Sequence, residues 1–332
     1  MSSVRFFNPA LAYEKIKPEI DAEMQRVLAS GDLILRADLE KFERSFAEYV
    51  GTKYAVGVAS GTDALILSLR AAGIEQGDRV LAPSYTFRAT IEAIVHAGGE
   101  PVLYDLEDQV HFDGIDYWIP AHIAGEVSPT LEADVKRAEA AGVIVIEDAA
   151  QAVGAAPVRG LTACYSFYPA KILGCYGDGG AVATNDKDIY DELMAMRNHY
   201  KGDWSPVGYN SRLDNLQAAV LNVKIKYLPD AIKRRKEIAT LYDAGLFHVG
   251  KPPVREVYQD YIITCEDIEG LSTYLTEQGI ETMRNGYPFP EAFSKGPKTN
   301  EYEAISLRLP CYPELTDKEV VHVINAINAY TM

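Results

Sequence analysis

A chain of 332 residues exceeds the usual size of one domain, and its 48% apolar content is ample for a core and unlike a disordered protein. A formal net charge of -16 argues against nucleic-acid binding, which needs a basic face, yet leaves room for a local basic pocket and anionic substrates. Cys164, Cys175, Cys265 and Cys311 lack paired spacing, no apolar stretch could span a bilayer, and the first residues lack a secretory pattern, so a cytoplasmic protein with reduced thiols, no membrane contact and no metal is expected.

In chain order, "KPEIDAEMQRVLASGD" has helical periodicity and stops at Gly31, and "ADLEKFERSFAEYVG" repeats it with Phe42, Phe46 and Tyr49 on one face. "YAVGVAS" reads as a strand and "GTDALILSLRAAG" as the helix after it, closing at Gly73. "DRVLAPS" and "FRATIEAIVHAG" repeat the unit. "PVLYDLE" and "DYWIPAH" add strands, "EADVKRAEAAG" a helix, and "VIVIEDAA" an apolar strand ending in acid. Such alternation predicts an α/β fold with a mostly parallel sheet covered on both sides. A ligand is then expected beyond the carboxyl ends of the strands.

From Leu213 onward the pattern is strongly helical, interrupted by Pro229, and a domain boundary is placed there: a large domain over 1–235 and a small one over 236–332. The basic run "KRRK" inside it could attract an anionic partner, but its alternation with apolar residues favours a solvated helix face. "VYQDYIITCED", "GLSTYLTEQGI" and "TDKEVVHVINAINAY" then predict a small α+β domain.

The polar residues that could carry chemistry follow the strands. Asp148 ends "VIVIED", where it could cap a helix or serve a site; Glu147 beside it must face the other way, so only one of them can address a pocket. Ser60, Gly61 and Thr62 sit at a helix start, whose exposed N–H groups suit either a simple cap or a phosphate. Neither a GxGxxG turn at that first strand nor a GxxxxGK[ST] loop is present, which weakens dehydrogenase and nucleotidase readings. Phe87 could pack in the core or offer a face to a planar cofactor. Lys171, in "SFYPAKILGCYGDGG", could be a surface charge or a nucleophile whose apolar company favours the neutral amine. Together a lysine, a strand-end carboxylate, an anion-binding turn and an aromatic plate would suit pyridoxal phosphate.

The ordered segments "ASGTDAL", "PSYTFRAT", "EDAAQAVGA", "SFYPAKILGCYGDGG", "GYNSRLDNLQAA" and "LRLPCYPELTDKEV" resemble the DegT/DnrJ/EryC1/StrS family of nucleotide-sugar aminotransferases, which have the aspartate-aminotransferase (type I) fold. The resemblance runs over nearly the whole chain. It implies that Lys171 is the Schiff-base lysine, Asp148 the partner of the pyridine nitrogen and Gln151 a neighbour of the phenolic oxygen. It assigns Gly61, Thr62 and Ser166 to the cofactor phosphate and Phe87 to the ring face. Asn210 would reach the phosphate of the other subunit, so a homodimer with shared active sites is implied.

Lysine rather than histidine at 171 favours transamination over the family's deoxygenating branch. The implied reaction moves an amino group from an amino-acid donor, glutamate by analogy, through pyridoxamine phosphate to a keto-sugar nucleotide. Departures from the family pattern cluster on the substrate side: Val153 and Gln259 where histidine is common, a short linker after "QAVGA", and an altered segment at 284–296. Arg88, where an apolar residue is usual, is a candidate contact for a sugar-nucleotide phosphate or donor carboxylate. His199 lies in a region that approaches substrate and is equally open to a structural role. These departures keep two alternatives open: a non-nucleotide ketone such as a cyclitol as acceptor, or a sensory relative that binds the cofactor without turnover.

Overall fold

The structure, a computed structural model, describes residues 3–203, 206–289 and 292–330. The chain starts with α1 (Pro9–Ser30) and α2 (Ala37–Val50), each closed by a glycine in the left-handed region, Gly31 at φ 72° and Gly51 at φ 78°. α1 begins eight residues before the expected start near Lys17 and carries Pro18 inside it. Then come β1 (Tyr54–Val58), α3 (Gly61–Ala71), β2 (Arg79–Pro83), α4 (Arg88–Ala97), β3 (Glu100–Tyr104), β4 (Tyr117–Trp118), α5 (Leu131–Ala140) and β5 (Ile144–Asp148). β6 (Thr162–Ser166), β7 (Gly180–Thr184), α6 (Lys187–Met196), α7 (Asn215–Lys224) and α8 (Leu228–Gly245) follow.

Among the described residues seven strands form one sheet in the order β1-β7-β6-β5-β4-β2-β3. Only β7 runs antiparallel to its neighbours, as the mostly parallel expectation requires. Both faces are covered, so strand residues alternate between two apolar cores. Ala163 and Tyr165 join Phe42 and Phe46 of α2 on one face, while Cys164 joins Leu65 and Leu69 of α3 on the other. The four cysteines carry no disulfide among the described residues.

The helical run after Leu213 breaks near Pro229, as expected: a 3-10 turn at Ile225–Tyr227 separates α7 from α8, and the proline occupies the first turn of α8. Residue 235 falls inside α8, which continues unbroken into the second core. That core surrounds a three-stranded antiparallel sheet of β8 (Tyr261–Thr264), β9 (Met283–Arg284) and β10 (Ser306–Leu309), with α9 (Ile268–Glu277), α10 (Pro297–Ala304) and α11 (Asp317–Ala329). Val4 also belongs to it, bridging to Ile280 and burying its side chain there.

The "KRRK" run is not simply a solvated face. Lys236 pairs with Glu256 and Arg234 with Asp317, but Arg235 is buried. Positions 235, 238, 239 and 242 form one helical stripe, and Arg235 lies on it with Ile238, Ala239 and Tyr242. Its guanidinium donates to the carbonyls of Tyr258 and Gln259, each at 3.0 Å, and to that of Cys311. Thus it ties α8 to the start of β8 and the end of β10.

Asp105, just past β3, docks α10 onto the large sheet. Its carboxylate accepts from the N–H groups of Lys298 (2.8 Å) and Thr299 (2.9 Å) and from the Thr299 hydroxyl (2.7 Å). Burial pushes the carboxyl up, but these bonds and that from the Leu106 N–H outweigh it and hold the group at about 2. The unfolded value is about 3.9, so this docking contributes stability that is complete above that pH and is lost as pH falls toward the folded value. Asp105→Ala is therefore expected to lower unfolding free energy at pH 7 by about 1–2 kcal/mol. In urea titrations the gap between variant and parent should narrow as pH is lowered below about 4. No helix among the described residues is long and apolar enough to cross a membrane.

Candidate active site

Beyond the carboxyl ends of the central strands lies a cavity of ≈ 360 Å³. Parallel strands all deliver their last residues to this edge, which is why distant segments meet here. Gly61, Thr62, Phe87, Asp148, Gln151, Ser166 and Lys171 all line it.

Asp148 is the last residue of β5, buried, with Oδ2 accepting from the Thr90 hydroxyl at 2.7 Å and Oδ1 from the Ala150 N–H at 3.2 Å. Glu147 takes the opposite side of the strand, as the pleat demands. Its Oε1 accepts from the N–H groups of Arg159 (2.5 Å) and Gly160 (2.7 Å), and its Oε2 lies 3.0 Å from His122 Nε2. Burial pushes the Glu147 carboxyl up, but His122 and these two N–H groups outweigh it and hold it below its ordinary value. Of the two adjacent acids, only Asp148 lines the cavity.

The turn at the start of α3 is built by close packing. Ser60 caps α3, its hydroxyl accepting from the Asp63 N–H at 3.0 Å, which leaves the N–H groups of Gly61 and Thr62 without intrahelical carbonyls. A Cβ on Gly61 would stand 2.8 Å from Ser166 Cβ, and one on Gly180 2.3 Å from the Ser60 carbonyl oxygen. Only glycine at both positions lets β6 and β7 pass so near the helix start, bringing the Ser166 hydroxyl beside it.

Lys171 sits on the loop between β6 and β7. Its N–H donates to the Tyr168 carbonyl at 2.8 Å, and the Cys175 N–H donates to Phe167 at 2.8 Å. Lys224 Nζ reaches the Gly174 carbonyl at 2.6 Å, and a Cβ on Gly174 would meet the Pro169 oxygen at 2.4 Å. The loop is therefore tightly folded on itself. Burial is the main influence on the Lys171 amine and lowers its proton affinity; Asp260 and then Asp148 oppose this, and Arg308 adds to it.

Phe87, just ahead of α4, is 42% exposed and meets the Tyr287 ring edge-on with centroids 4.8 Å apart. It is not a core phenylalanine. Gln151 is buried, and its Oε1 accepts from the Ala124 N–H at 2.6 Å.

Three candidates lie apart from this group. Arg88 pairs with Glu92 one turn along α4 at 2.6 Å and does not line the cavity. His199 has a left-handed backbone (φ 61°), donates its N–H to the Tyr209 carbonyl at 3.0 Å and is also outside the cavity. Asn210 is exposed and forms a β-bridge with Asn198. Of the departures from the family pattern, Val153 is core, packed with Phe46 and Ala149. In the 284–296 segment, Pro290 and Glu291 lie outside the described residues; Asn285 is buried and donates to the Tyr85 hydroxyl, and half-buried Tyr287 lines the cavity.

The cavity also has residues not anticipated as site residues: His122, Arg235, Asp260, Tyr287 and Arg308. Arg308 Nη1 lies 3.4 Å from Asp260 Oδ2 and 2.8 Å from the Tyr287 hydroxyl, while its Nε has no partner among the described residues. Signals existed for some of them. His122 follows the strand "DYWIP", and Arg308 interrupts the apolar strand "SLRL". A charge in a strand otherwise made for burial is worth following, since buried charges need partners.

Fold and cavity together define a type I pyridoxal-phosphate aminotransferase architecture: a large α/β domain with a mixed sheet and a smaller C-terminal domain. Residues 14–328 match the DegT/DnrJ/EryC1/StrS aminotransferase family, and the chain belongs to it. It is 35% identical to dTDP-3-amino-3,4,6-trideoxy-alpha-D-glucose transaminase of Streptomyces venezuelae, over 98% of this chain and 96% of that protein. The crystal structure of DesV from S. venezuelae, in complex with a ketimine intermediate, superimposes with a TM-score of 0.91 at 34% identity, covering 98% of both chains. NtdA from Bacillus subtilis with bound cofactor PMP superimposes with a TM-score of 0.88 at 25% identity, covering 99% of this chain and 85% of that one.

The residues present fit the cofactor. Helix-start N–H groups at Gly61 and Thr62 beside a hydroxyl suit a phosphate, an oriented carboxylate suits a ring nitrogen, and the open face of Phe87 suits a planar ring. Lys171 completes the set with an amine whose burial favours its neutral form.

Proposed function

We propose that this protein transfers an amino group from L-glutamate to a keto-sugar nucleotide, with pyridoxal phosphate as cofactor and Lys171 as the residue that anchors it and moves the proton. The observation that carries the reading is the Lys171 amine, destabilised as a cation by burial, sharing one cavity with Asp148 and the start of α3.

The cofactor, when bound, supplies an electron sink and carries the amino group between the two substrates. The N–H groups of Gly61 and Thr62 and the Ser166 hydroxyl would hold its phosphate; the positive end of α3 favours the dianion. Asp148, oriented by Thr90, would hold a proton on the ring nitrogen. Phe87 would cover one ring face, and Gln151 would lie by the phenolic oxygen. Lys171 would take a proton from the donor α-carbon and return it at the cofactor carbon on the other side of the shared nitrogen, a positioned transfer contributing on the order of 10²–10⁴-fold. Asn210, exposed and not lining its own cavity, would serve the partner of a homodimer with shared active sites.

Assays pairing glutamate with a panel of keto-sugar nucleotides and of cyclitol ketones test the substrate class. Turnover of at least one sugar nucleotide is the expected result. Turnover of cyclitol ketones alone would replace the acceptor, and no turnover with any donor or acceptor would favour a sensory relative.

A further inference from the structure

We infer that Gln259 is a positioning residue for Lys171: its side-chain amide, entering from the small domain, clamps the two peptide groups that flank the lysine. Gln259 Oε1 accepts from the Ile172 N–H at 3.0 Å, and Nε2 donates to the Ala170 carbonyl at 2.8 Å. One planar group thus satisfies an acceptor and a donor on either side of residue 171. A primary amide is suited to this, because it presents an acceptor and a donor from a single carbon.

The clamp is itself held rigidly. Gln259 is 8% exposed and lies two residues before β8. Its N–H donates to the Ala124 carbonyl at 3.1 Å, and its own carbonyl accepts from Arg235 at 3.0 Å. Ala124 in turn donates its N–H to Gln151 Oε1 at 2.6 Å. A continuous path of hydrogen bonds therefore joins Gln151, Ala124, Gln259 and the lysine loop, linking two cavity-lining side chains through the small domain.

The chemistry of an amide at position 259 is specific. An imidazole that accepted from Ile172 would lose that capacity on protonation, whereas the amide keeps both bonds at any working pH. Lys171 is the group that profits. Its low proton affinity arises first from burial and is balanced against Asp260, Asp148 and Arg308, so displacement of the loop changes all of these at once. Removal of the clamp would also leave a peptide N–H and a carbonyl unmet in a half-buried loop.

The inference rests on the reading of Lys171 as the reactive amine, but its test does not need turnover. Two quantities are measured on the full-length, cofactor-free protein: hydrogen exchange at the Ile172 amide, and the pH dependence of Lys171 acetylation by acetic anhydride, mapped by mass spectrometry. Gln259→Met keeps length and volume while removing both bonds. It is expected to speed Ile172 exchange about tenfold or more. It should also move the Lys171 labelling curve up toward the ordinary lysine value of about 10.4. Gln259→Glu retains the acceptor and is expected to restore slow exchange at Ile172. A folded methionine variant with Ile172 exchange and Lys171 labelling both unchanged would overturn the inference. If the methionine variant does not fold, the glutamate variant decides: retained Ile172 protection supports the clamp, and exchange as fast as in the unfolded chain overturns it. A protein that failed to turn over any amino donor would leave both measurements intact, so the two readings fail separately.

Discussion

Lys171→Ala is expected to reduce amino transfer by at least about 10²–10⁴-fold, the share of a positioned proton transfer, and to remove the visible band of the cofactor-loaded protein. The fold should survive the change. The loop around 171 is closed by backbone bonds, from the Lys171 N–H to Tyr168 and from Cys175 to Phe167, which alanine keeps. The amine is destabilised by its burial, so its removal takes away an unfavourable desolvation rather than a stabilising contact. Absorbance after reconstitution, with single-turnover exposure to glutamate and a thermal melt, separates lost chemistry from lost structure. Equal turnover in variant and parent would contradict the role given to Lys171.

Asp148→Asn is the second large effect. The substitution preserves shape, and the Thr90 hydroxyl, now 2.7 Å from Oδ2, can still donate to the amide oxygen. What disappears is the negative charge on the cavity wall. A charge-assisted bond to a protonated ring nitrogen would become a weaker neutral one, and turnover should fall by on the order of 10²-fold or more at equal cofactor occupancy. Glu147→Gln is the matched control one residue away. Glu147 does not line the cavity and touches it only through His122, its other bonds holding the turn at Arg159 and Gly160, so its loss should appear chiefly as reduced stability. Steady-state rates and urea melts on both variants give the comparison. If the two variants lost activity equally, the separation of roles between these neighbours would be wrong.

What could be read from the chain was what is local. The strand-turn-helix unit at 54–71, the alternation that sends Asp148 and Glu147 to opposite sides, and the apolar company of Lys171 are all visible within short segments. They come together because parallel strands end at one edge of the sheet. Less legible was anything built from two distant segments. Arg235 was hidden in a basic run because its burial depends on what lies opposite α8, namely the carbonyls of Tyr258, Gln259 and Cys311. Asp260, just before β8, and Arg308, on β10, lie 48 residues apart, and no periodicity pairs them. Gln259 stood out only as a departure from a pattern, and its partners at 170 and 172 emerge only in three dimensions. Arg88 shows the converse. It directly follows a cavity residue, Phe87, yet a helix turns its first side chain away and a glutamate four residues on captures it.

The most direct measurement is chemical trapping of the cofactor on the protein. Purified protein reconstituted with pyridoxal phosphate is reduced with borohydride, digested, and mapped by mass spectrometry. The account predicts a phosphopyridoxyl group on the peptide containing Lys171, and none there when the protein is first incubated with excess glutamate. Attachment at another lysine, such as the half-buried Lys224, or no attachment at all, would contradict it.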